Sequence, residues 1–140
     1  MLIEFLQQGQ NMWWAGLALV SGAMLIWPLF IGGDSDSLSP AAATLMMNRE
    51  DAVVLDVRES SEWAVGHIAG ARHIALVQLY KRIAELDKLK ASPLIVCCAR
   101  GSRSMTAMAA LKKAGFEKVF VLEGGVAAWL EANLPLTRKG

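Results

Sequence analysis

Short apolar runs alternate with amphipathic segments from residue 38 onwards. Apolar runs of four to six residues, bounded by polar or turn-forming residues, predict buried strands at 52–57, 94–97 and 118–122, and a shorter strand is predicted at 72–74. Apolar residues at helical spacing predict helices at 40–47, 60–65, 76–86, 104–115 and 125–132. The first helix should begin with Ser39 as its N-cap and Pro40 at its first position, and the apolar stripe of the helix at 76–86 includes Tyr80. Strands that alternate with helices predict an α/β domain, in which helices cover both faces of a parallel sheet.

The N-terminal segment has a different pattern, because residues 12–31 contain no charged side chain. About 20 apolar residues are needed to cross a bilayer as a helix, and Trp13 and Trp27 suit its two interfaces. A cleaved signal peptide is the alternative, but no Lys or Arg forms a basic start in residues 1–11. We therefore expect four segments: a short tail at 1–11, a retained transmembrane helix at 12–31, a linker at 32–37 and the α/β domain at 38–140.

Charge predicts the orientation of that anchor. All 14 Lys and Arg residues follow Asn48, and the positive-inside rule keeps the basic side in the cytoplasm. A cysteine pair, Cys97 and Cys98, also survives best as thiols in a reducing compartment. We expect a single-pass protein of the cell (inner) membrane whose α/β domain faces the cytoplasm.

The candidate chemistry lies at Cys98, between the strand at 94–97 and the following helix. A helix N-terminus presents unpaired N–H groups and a positive dipole end, which favour a thiolate. Arg100 and Arg103 act in the same direction, and Gly101 allows the backbone to curl around an anion. We predict an activated thiolate in an anion-binding cradle, with an inert buried cysteine as the alternative.

The neighbouring thiol, Cys97, has a different predicted role. Side chains alternate along a strand, so Cys97 and Cys98 should point to opposite faces of the sheet. Adjacent Cα atoms are about 3.8 Å apart, which is too close for an ordinary disulfide. We expect Cys97 to be neither the nucleophile nor a disulfide partner of Cys98.

Three further polar residues could support the site. Asp56 and Arg58 end another strand, and we expect them to form an ion pair or loop hydrogen bonds. His67 could act as a general base, but we favour a buried, hydrogen-bonded structural histidine. The two cysteines and two histidines lack the spacing of a metal site, and no motif indicates a nucleotide, an organic cofactor or a nucleic acid.

Four motifs together resemble the rhodanese family of sulfurtransferases. They are Cys98–Ser104 (Cys followed by Gly-x-Arg-Ser), Val54–Glu59 (Asp-x-Arg-Glu), Gly66–Ala71 (Gly-His-Ile-x-Gly-Ala) and Leu122–Trp129 (Gly-Gly-x3-Trp). They occur in the order of the family, and the resemblance as a whole covers roughly residues 38–135. The resemblance implies a small doubly wound parallel sheet with the site at the C-terminal ends of its strands.

The resemblance also implies a reaction and assigns roles within the site. Cys98 would carry sulfane sulfur as a persulfide, from thiosulfate or a protein persulfide to cyanide or a thiol, without metal or cofactor. The substrate would be bound by the loop residues Ala99, Arg100, Gly101, Ser102, Arg103 and Ser104. Asp56, Arg58 and His67 would support the loop.

Two other functions remain open. Phosphatases and arsenate reductases of related fold have a longer Cys-x5-Arg loop, whereas Cys98 and Arg103 are separated by four residues, which favours sulfur. The other alternative is a membrane-anchored docking or redox-sensing module without catalysis.

Overall fold

The computed structural model describes Gly16 and residues 36–139 of the chain. Five strands and five α-helices, with one 3₁₀-helix, follow one another along the domain. The strands are β1 (Ser37–Leu38), β2 (Val53–Asp56), β3 (Arg72–His73), β4 (Leu94–Cys97) and β5 (Val119–Leu122). The helices are α1 (Pro40–Arg49), α2 (Ser60–Val65), α3 (Leu76–Arg82), the 3₁₀-helix (Ile83–Leu89), α4 (Ser102–Lys113) and α5 (Gly125–Glu131).

The strands form one parallel sheet in the order β1-β5-β4-β2-β3. β4 is central: Leu94 is opposite Val53 of β2 and Val119 of β5. After β2 the chain moves outward to β3, but after β4 it moves to β5 on the other side. The carboxyl ends of β2 and β4 therefore flank a topological switch point, which is where open α/β sheets bind ligands.

Both faces of the sheet are covered, as predicted. Successive residues of β2 enter different clusters: Leu55 packs with α3 and α4, and Val54 packs with α1 and α5. Cys98 belongs to the first cluster and Cys97 to the second, so the two thiols point to opposite faces. Full burial of each large apolar side chain contributes about 1.5–3 kcal/mol, and the central strand β4 is buried along its whole length.

The start of α1 follows from its sequence. Ser39 is the N-cap, its Oγ accepts the Ala42 N–H at 3.1 Å, and Pro40 occupies the first turn. A side-chain oxygen at this position satisfies an otherwise free N–H group, and proline loses no hydrogen bond there. The structure confirms both predicted positions.

The predicted helix at 76–86 differs from the structure in two ways. The α-helix ends at Arg82 and continues as a 3₁₀-helix, in which side chains three residues apart lie on one face. Ile83, Leu86 and Leu89 have that spacing and pack against the core. Tyr80 was expected on the apolar stripe, but it is 69% exposed.

Of the segments predicted before the domain, the structure describes Gly16 and the last two linker residues, Asp36 and Ser37; the rest lie outside the described residues. Nowhere in the described part of the chain is there a helix of sufficient length and apolar character to span a bilayer. The chain divides into two units, 1–35 and 36–140. The tail at 1–11, the anchor at 12–31 and their orientation stay predictions.

Candidate active site

The thiol of Cys98 lies at the first position after β4, where the chain turns into α4. Its Sγ accepts a hydrogen bond from the Gly101 N–H at 3.0 Å. Gly101 has φ +114°, a left-handed conformation that glycine adopts without the steric cost of a side chain. The predicted curl of the loop is present, and it aims a backbone donor at the sulfur.

The environment of Cys98 favours the thiolate. Burial raises the pKa of Cys98, but the Ser104 hydroxyl and the N–H groups of Ser104, Gly101 and Arg100 outweigh burial and bring the pKa below its ordinary value. Three of these donors are backbone groups at the start of α4, and they are fixed by the fold. The loop is therefore built to hold a negative sulfur.

Ser104 contributes a side-chain hydroxyl to the surroundings of the Cys98 sulfur. It is fully buried, and its Oγ completes a hydrogen bond with no other group in the part of the chain that the structure describes. Its hydroxyl nevertheless lowers the pKa of Cys98. A buried hydroxyl without a partner costs about 1–3 kcal/mol, a cost that is recovered when the hydroxyl donates to a charged sulfur.

The N-terminus of α5 holds the loop in place. The carbonyl groups of Cys98 and Ala99 accept the Val126 and Ala127 N–H groups at 2.8 and 3.1 Å. The carbonyl and N–H of one peptide unit point in opposite directions, so this contact turns the next N–H groups away from α5. A β-carbon on Gly125 would lie 2.7 Å from the Ala99 carbonyl carbon, so only glycine allows this close approach. The Gly-Gly-x3-Trp motif thus shapes the cradle.

The two loop arginines have different surroundings. Arg100 is exposed and forms no ion pair within residues 36–139. Arg103 donates from Nη1 and Nη2 to the two carboxylate oxygens of Glu62 at 2.7 and 3.0 Å. That bidentate hydrogen bond, opposed in part by burial, lowers the pKa of Glu62 to about 2. Both cations were expected to bind the anionic donor, but within the described residues only Arg100 is without an acidic partner.

Glu62 was missed by the sequence reasoning. It lies 41 residues before Arg103, on the short helix predicted at 60–65. No role in the site was predicted for that helix. The one local signal is a carboxylate in the first turn of α2, which also fits a capping role: Glu62 accepts the Glu59 N–H at 3.0 Å. Nothing in the spacing indicates the partner on α4.

Asp56 and Arg58 form the predicted ion pair, and both are buried. Arg58 donates from Nη2 to Asp56 at 2.8 Å and from the same nitrogen to the Gly66 carbonyl at 2.7 Å. A buried charge pair of this kind needs such additional hydrogen bonds to offset the loss of hydration. The pair ties the end of β2 to the turn after α2, and α2 carries Glu62.

His67 has the structural environment favoured above. Its ring stacks on Trp63 with centroids 3.5 Å apart. Nδ1 lies 3.1 Å from the Trp63 carbonyl oxygen, and Nε2 lies 2.8 Å from that of Lys139. Both ring nitrogens face backbone oxygens, so neither is placed to take a proton from a substrate.

Cys97 and Cys98 are both free thiols. Burial and the nearby charge of Asp56 raise the pKa of Cys97 well above its ordinary value. Of the two adjacent thiols, Cys98 is the one whose surroundings favour the thiolate, and Cys97 is an uncharged core side chain.

The sulfur lies beneath the surface of the active-site loop. Cys98 itself has no exposed area, while Arg100 and Ser102 beside it are exposed. A cavity of about 350 Å³ lies beside β3, where Trp63 and His73 form part of its wall, and Cys98 does not line it. Within residues 36–139 no three His, Cys, Asp or Glu side chains are grouped to hold a metal ion.

Comparison with known proteins places this loop in a family. The model of the Rhodanese-like domain matches residues 39–132. The uncharacterized protein YibN of Escherichia coli is 43% identical over 97 residues, which cover 69% of this chain and 68% of that protein. Thiosulfate sulfurtransferase GlpE of Pseudomonas putida is 37% identical over 94 residues, 66% of this chain and 82% of the relative.

Solved structures agree with these matches. A rhodanese-related protein from Thermoplasma volcanium superposes with a TM-score of 0.67 at 29% identity, covering 74% of this chain and 98% of that one. The fold of this chain and the segment that contains the Cys98 loop both match the rhodanese-like family. The chain therefore belongs to the rhodanese-like family.

Proposed function

We propose that the protein is a sulfurtransferase that carries sulfane sulfur as a persulfide on Cys98. The observation that carries this proposal is the hydrogen bond from the Gly101 N–H to the Cys98 Sγ at 3.0 Å, at a helix start that lowers the pKa of the thiol. The named thiosulfate sulfurtransferases among its relatives support the same activity.

In the first step the Cys98 thiolate attacks the outer sulfur of the donor. With thiosulfate, a bond forms between Sγ and that sulfur, the sulfur–sulfur bond of the donor breaks, and its electron pair leaves on sulfite. The charge on the new outer sulfur lies where the loop N–H groups converge, and preorganised donors of this kind stabilise a developing anion. Arg100 attracts the anionic donor to the rim of the loop.

In the second step an acceptor removes the outer sulfur. Cyanide in an assay, or a thiolate in the cell, bonds to that sulfur, and the electron pair of the breaking bond returns to Sγ. The Ser104 hydroxyl lowers the pKa of Cys98, so it stabilises the thiolate that starts the first step and is regenerated in the second. The reaction is covalent catalysis in two easier steps, and it needs neither an oxidant nor a reductant.

The direct test is thiocyanate formation from thiosulfate and cyanide by the full-length chain. Cys98→Ser should form no thiocyanate above the uncatalysed rate. Cys97→Ser is the matched control, since it removes the adjacent thiol from the opposite face, and it should keep most of the activity. Activity retained in Cys98→Ser would refute the proposal.

A phosphatase is the second candidate, and the surroundings of Arg103 argue against it. The paired Nη groups that would clasp a phosphate are engaged by Glu62. Hydrolysis of p-nitrophenyl phosphate by the wild type, lost in Cys98→Ser, would favour this candidate instead.

A docking or redox-sensing module is the third candidate. It predicts that Cys98→Ser leaves the cellular role intact when the transfer activity is lost. The lowered pKa of Cys98 and the donors aimed at its sulfur favour chemistry over docking alone.

The proposal includes a location for the reaction. Residues 12–31 form a single transmembrane anchor in the cell (inner) membrane, and the domain faces the cytoplasm; the charge-free stretch and the basic residues after it support this. The expected result is recovery of the chain in the membrane fraction, with the domain protected from an added protease while the inner membrane is intact and digested after lysis. Digestion of the domain without lysis of the inner membrane would reverse the orientation.

A further inference from the structure

The ion pair of Glu62 and Arg103 stands at the rim of the active-site loop. Two hydrogen bonds of 2.7 and 3.0 Å join the guanidinium and the carboxylate. The carboxylate is fixed on its own side as well, because it also accepts the Glu59 N–H at 3.0 Å. The two side chains are 31% and 32% exposed, so the pair is partly open to solvent.

This arrangement changes the charge that the loop presents. A guanidinium binds an oxyanion through the same paired N–H donors that it uses for a carboxylate. In Arg103 one N–H of Nη1 and one of Nη2 are donated to Glu62, and the two groups together carry no net charge. Of the cations in the loop, Arg100 is the one left without an acidic partner in the described part of the chain.

Sulfane donors differ in the charge that they bring to this site. Thiosulfate is a dianion and releases sulfite, another dianion. An organic persulfide, R–S–SH, is neutral when attacked: the Cys98 thiolate bonds to its outer sulfur, the S–S bond breaks, the electron pair leaves on R–S⁻, and the proton stays on the transferred sulfur. One unpaired cation matches the single charge of that leaving thiolate better than the two charges of sulfite.

We propose that Glu62 sets the donor class of this enzyme: by neutralising Arg103 it disfavours the thiosulfate dianion and makes an organic persulfide the preferred donor. Glu62 is a positioning residue, because it acts on the donor through Arg103. The proposal rests on the proposed function, since it concerns the donor of the same Cys98 reaction.

The test compares two donors in one variant series of the full-length chain. The ratio of kcat/KM for thiosulfate to kcat/KM for freshly prepared cysteine persulfide is measured with cyanide as the acceptor. Glu62→Gln frees Arg103, and a hydrogen bond from a charged group is worth about a tenfold change, so the ratio should rise roughly tenfold. A loosened loop would slow both donors together and leave the ratio unchanged.

Two further variants isolate the cause. In Glu62→Gln/Arg103→Gln no cation is freed, so the ratio should stay within about threefold of the wild type. Glu85→Gln removes a carboxylate from the Arg82–Glu85 pair, which joins the end of α3 to the 3₁₀-helix at 2.8 and 3.1 Å, and it should not change the ratio.

Each outcome decides the matter. A rise in Glu62→Gln that disappears in the double variant supports the proposal, while an unchanged or lower ratio, or an equal rise in Glu85→Gln, overturns it. If Glu62→Gln does not fold, the double variant decides alone: a tenfold fall in its ratio would show that Arg103 already binds thiosulfate in the wild type. If the wild type transfers sulfur from neither donor, the proposed function itself is refuted.

Discussion

At the scale of the residue, the adjacent cysteines Cys97 and Cys98 differ only in what surrounds them. Both Cys97 and Cys98 are buried, and burial raises the pKa of each. Cys98 alone sits where N–H groups converge, and these donors outweigh burial. The lowered pKa of Cys98 is therefore caused by the surrounding loop and not by the thiol itself.

The hydroxyl of Ser104 gives the residue-scale prediction. Ser104→Ala should raise the pKa of Cys98, because the variant lacks the hydroxyl that lowers it. The ultraviolet absorbance of the thiolate, followed from low to high pH, reports this directly. Ser104→Thr keeps the hydroxyl and is the control, and an unshifted titration in Ser104→Ala would exclude the hydroxyl from the cradle.

At the scale of the element, the loop is held by two neighbours, α5 and α2. The N-terminus of α5 binds the Cys98 and Ala99 carbonyl groups, and α2 holds Arg103 through Glu62. Each contact comes from a different part of the chain, so the geometry at the sulfur depends on how the elements pack around the sheet.

Gly125→Ala tests the contact with α5. Gly125 has φ +62° and would overlap the loop backbone if it carried a β-carbon, whereas Gly115 has φ +99° and open space around it. Gly115→Ala should therefore cost only the left-handed conformation, about 1–2 kcal/mol. Gly125→Ala should cost more than about 3 kcal/mol in urea unfolding and should lose transfer activity. Equal losses of stability in the two variants would mean that the close approach is not needed.

Glu62 provides a pH-dependent test of the contact with α2. Its pKa falls from 4.5 to about 2 on folding, chiefly through the hydrogen bond from Arg103. The resulting stabilisation is present above pH 4.5 and disappears as the pH falls towards 2. The unfolding free energies of wild type and Glu62→Gln should thus differ most near neutral pH and converge on acidification. A difference that does not change with pH would show that the pair adds no charge-dependent stability.

At the scale of the whole molecule, sequence patterns predicted those features that depend only on neighbouring residues. The apolar run at 94–97 became β4, Ser39 became a cap, and the motifs around Cys98 located the loop, because each of these depends on neighbouring residues. The ion pair of Glu62 and Arg103 spans 41 residues and has no local pattern. β1 is only two residues long and owes its existence to pairing with β5, and the 3₁₀-helix after α3 follows from packing.

The same division applies to the chemistry. The curl at Gly101 was predictable from the sequence, since it follows from residue type at a helix start. The nucleophilic role of Cys98 stays a prediction. The ion pair of Arg103 with Glu62 was not predictable, because it required the structure to bring α2 beside α4. That contact alters the charge of the site, and our proposal links this charge to the choice of donor.

The most direct measurement of the central claim is the mass of the intact chain after treatment with a sulfane donor and removal of the excess. The wild type should gain the mass of one sulfur atom, peptide mapping should place it on Cys98, and added cyanide should remove it. Cys97→Ser should gain the same mass and Cys98→Ser none. A sulfur atom carried on Cys97, or a gain of mass that persists in Cys98→Ser, would contradict transfer through a Cys98 persulfide.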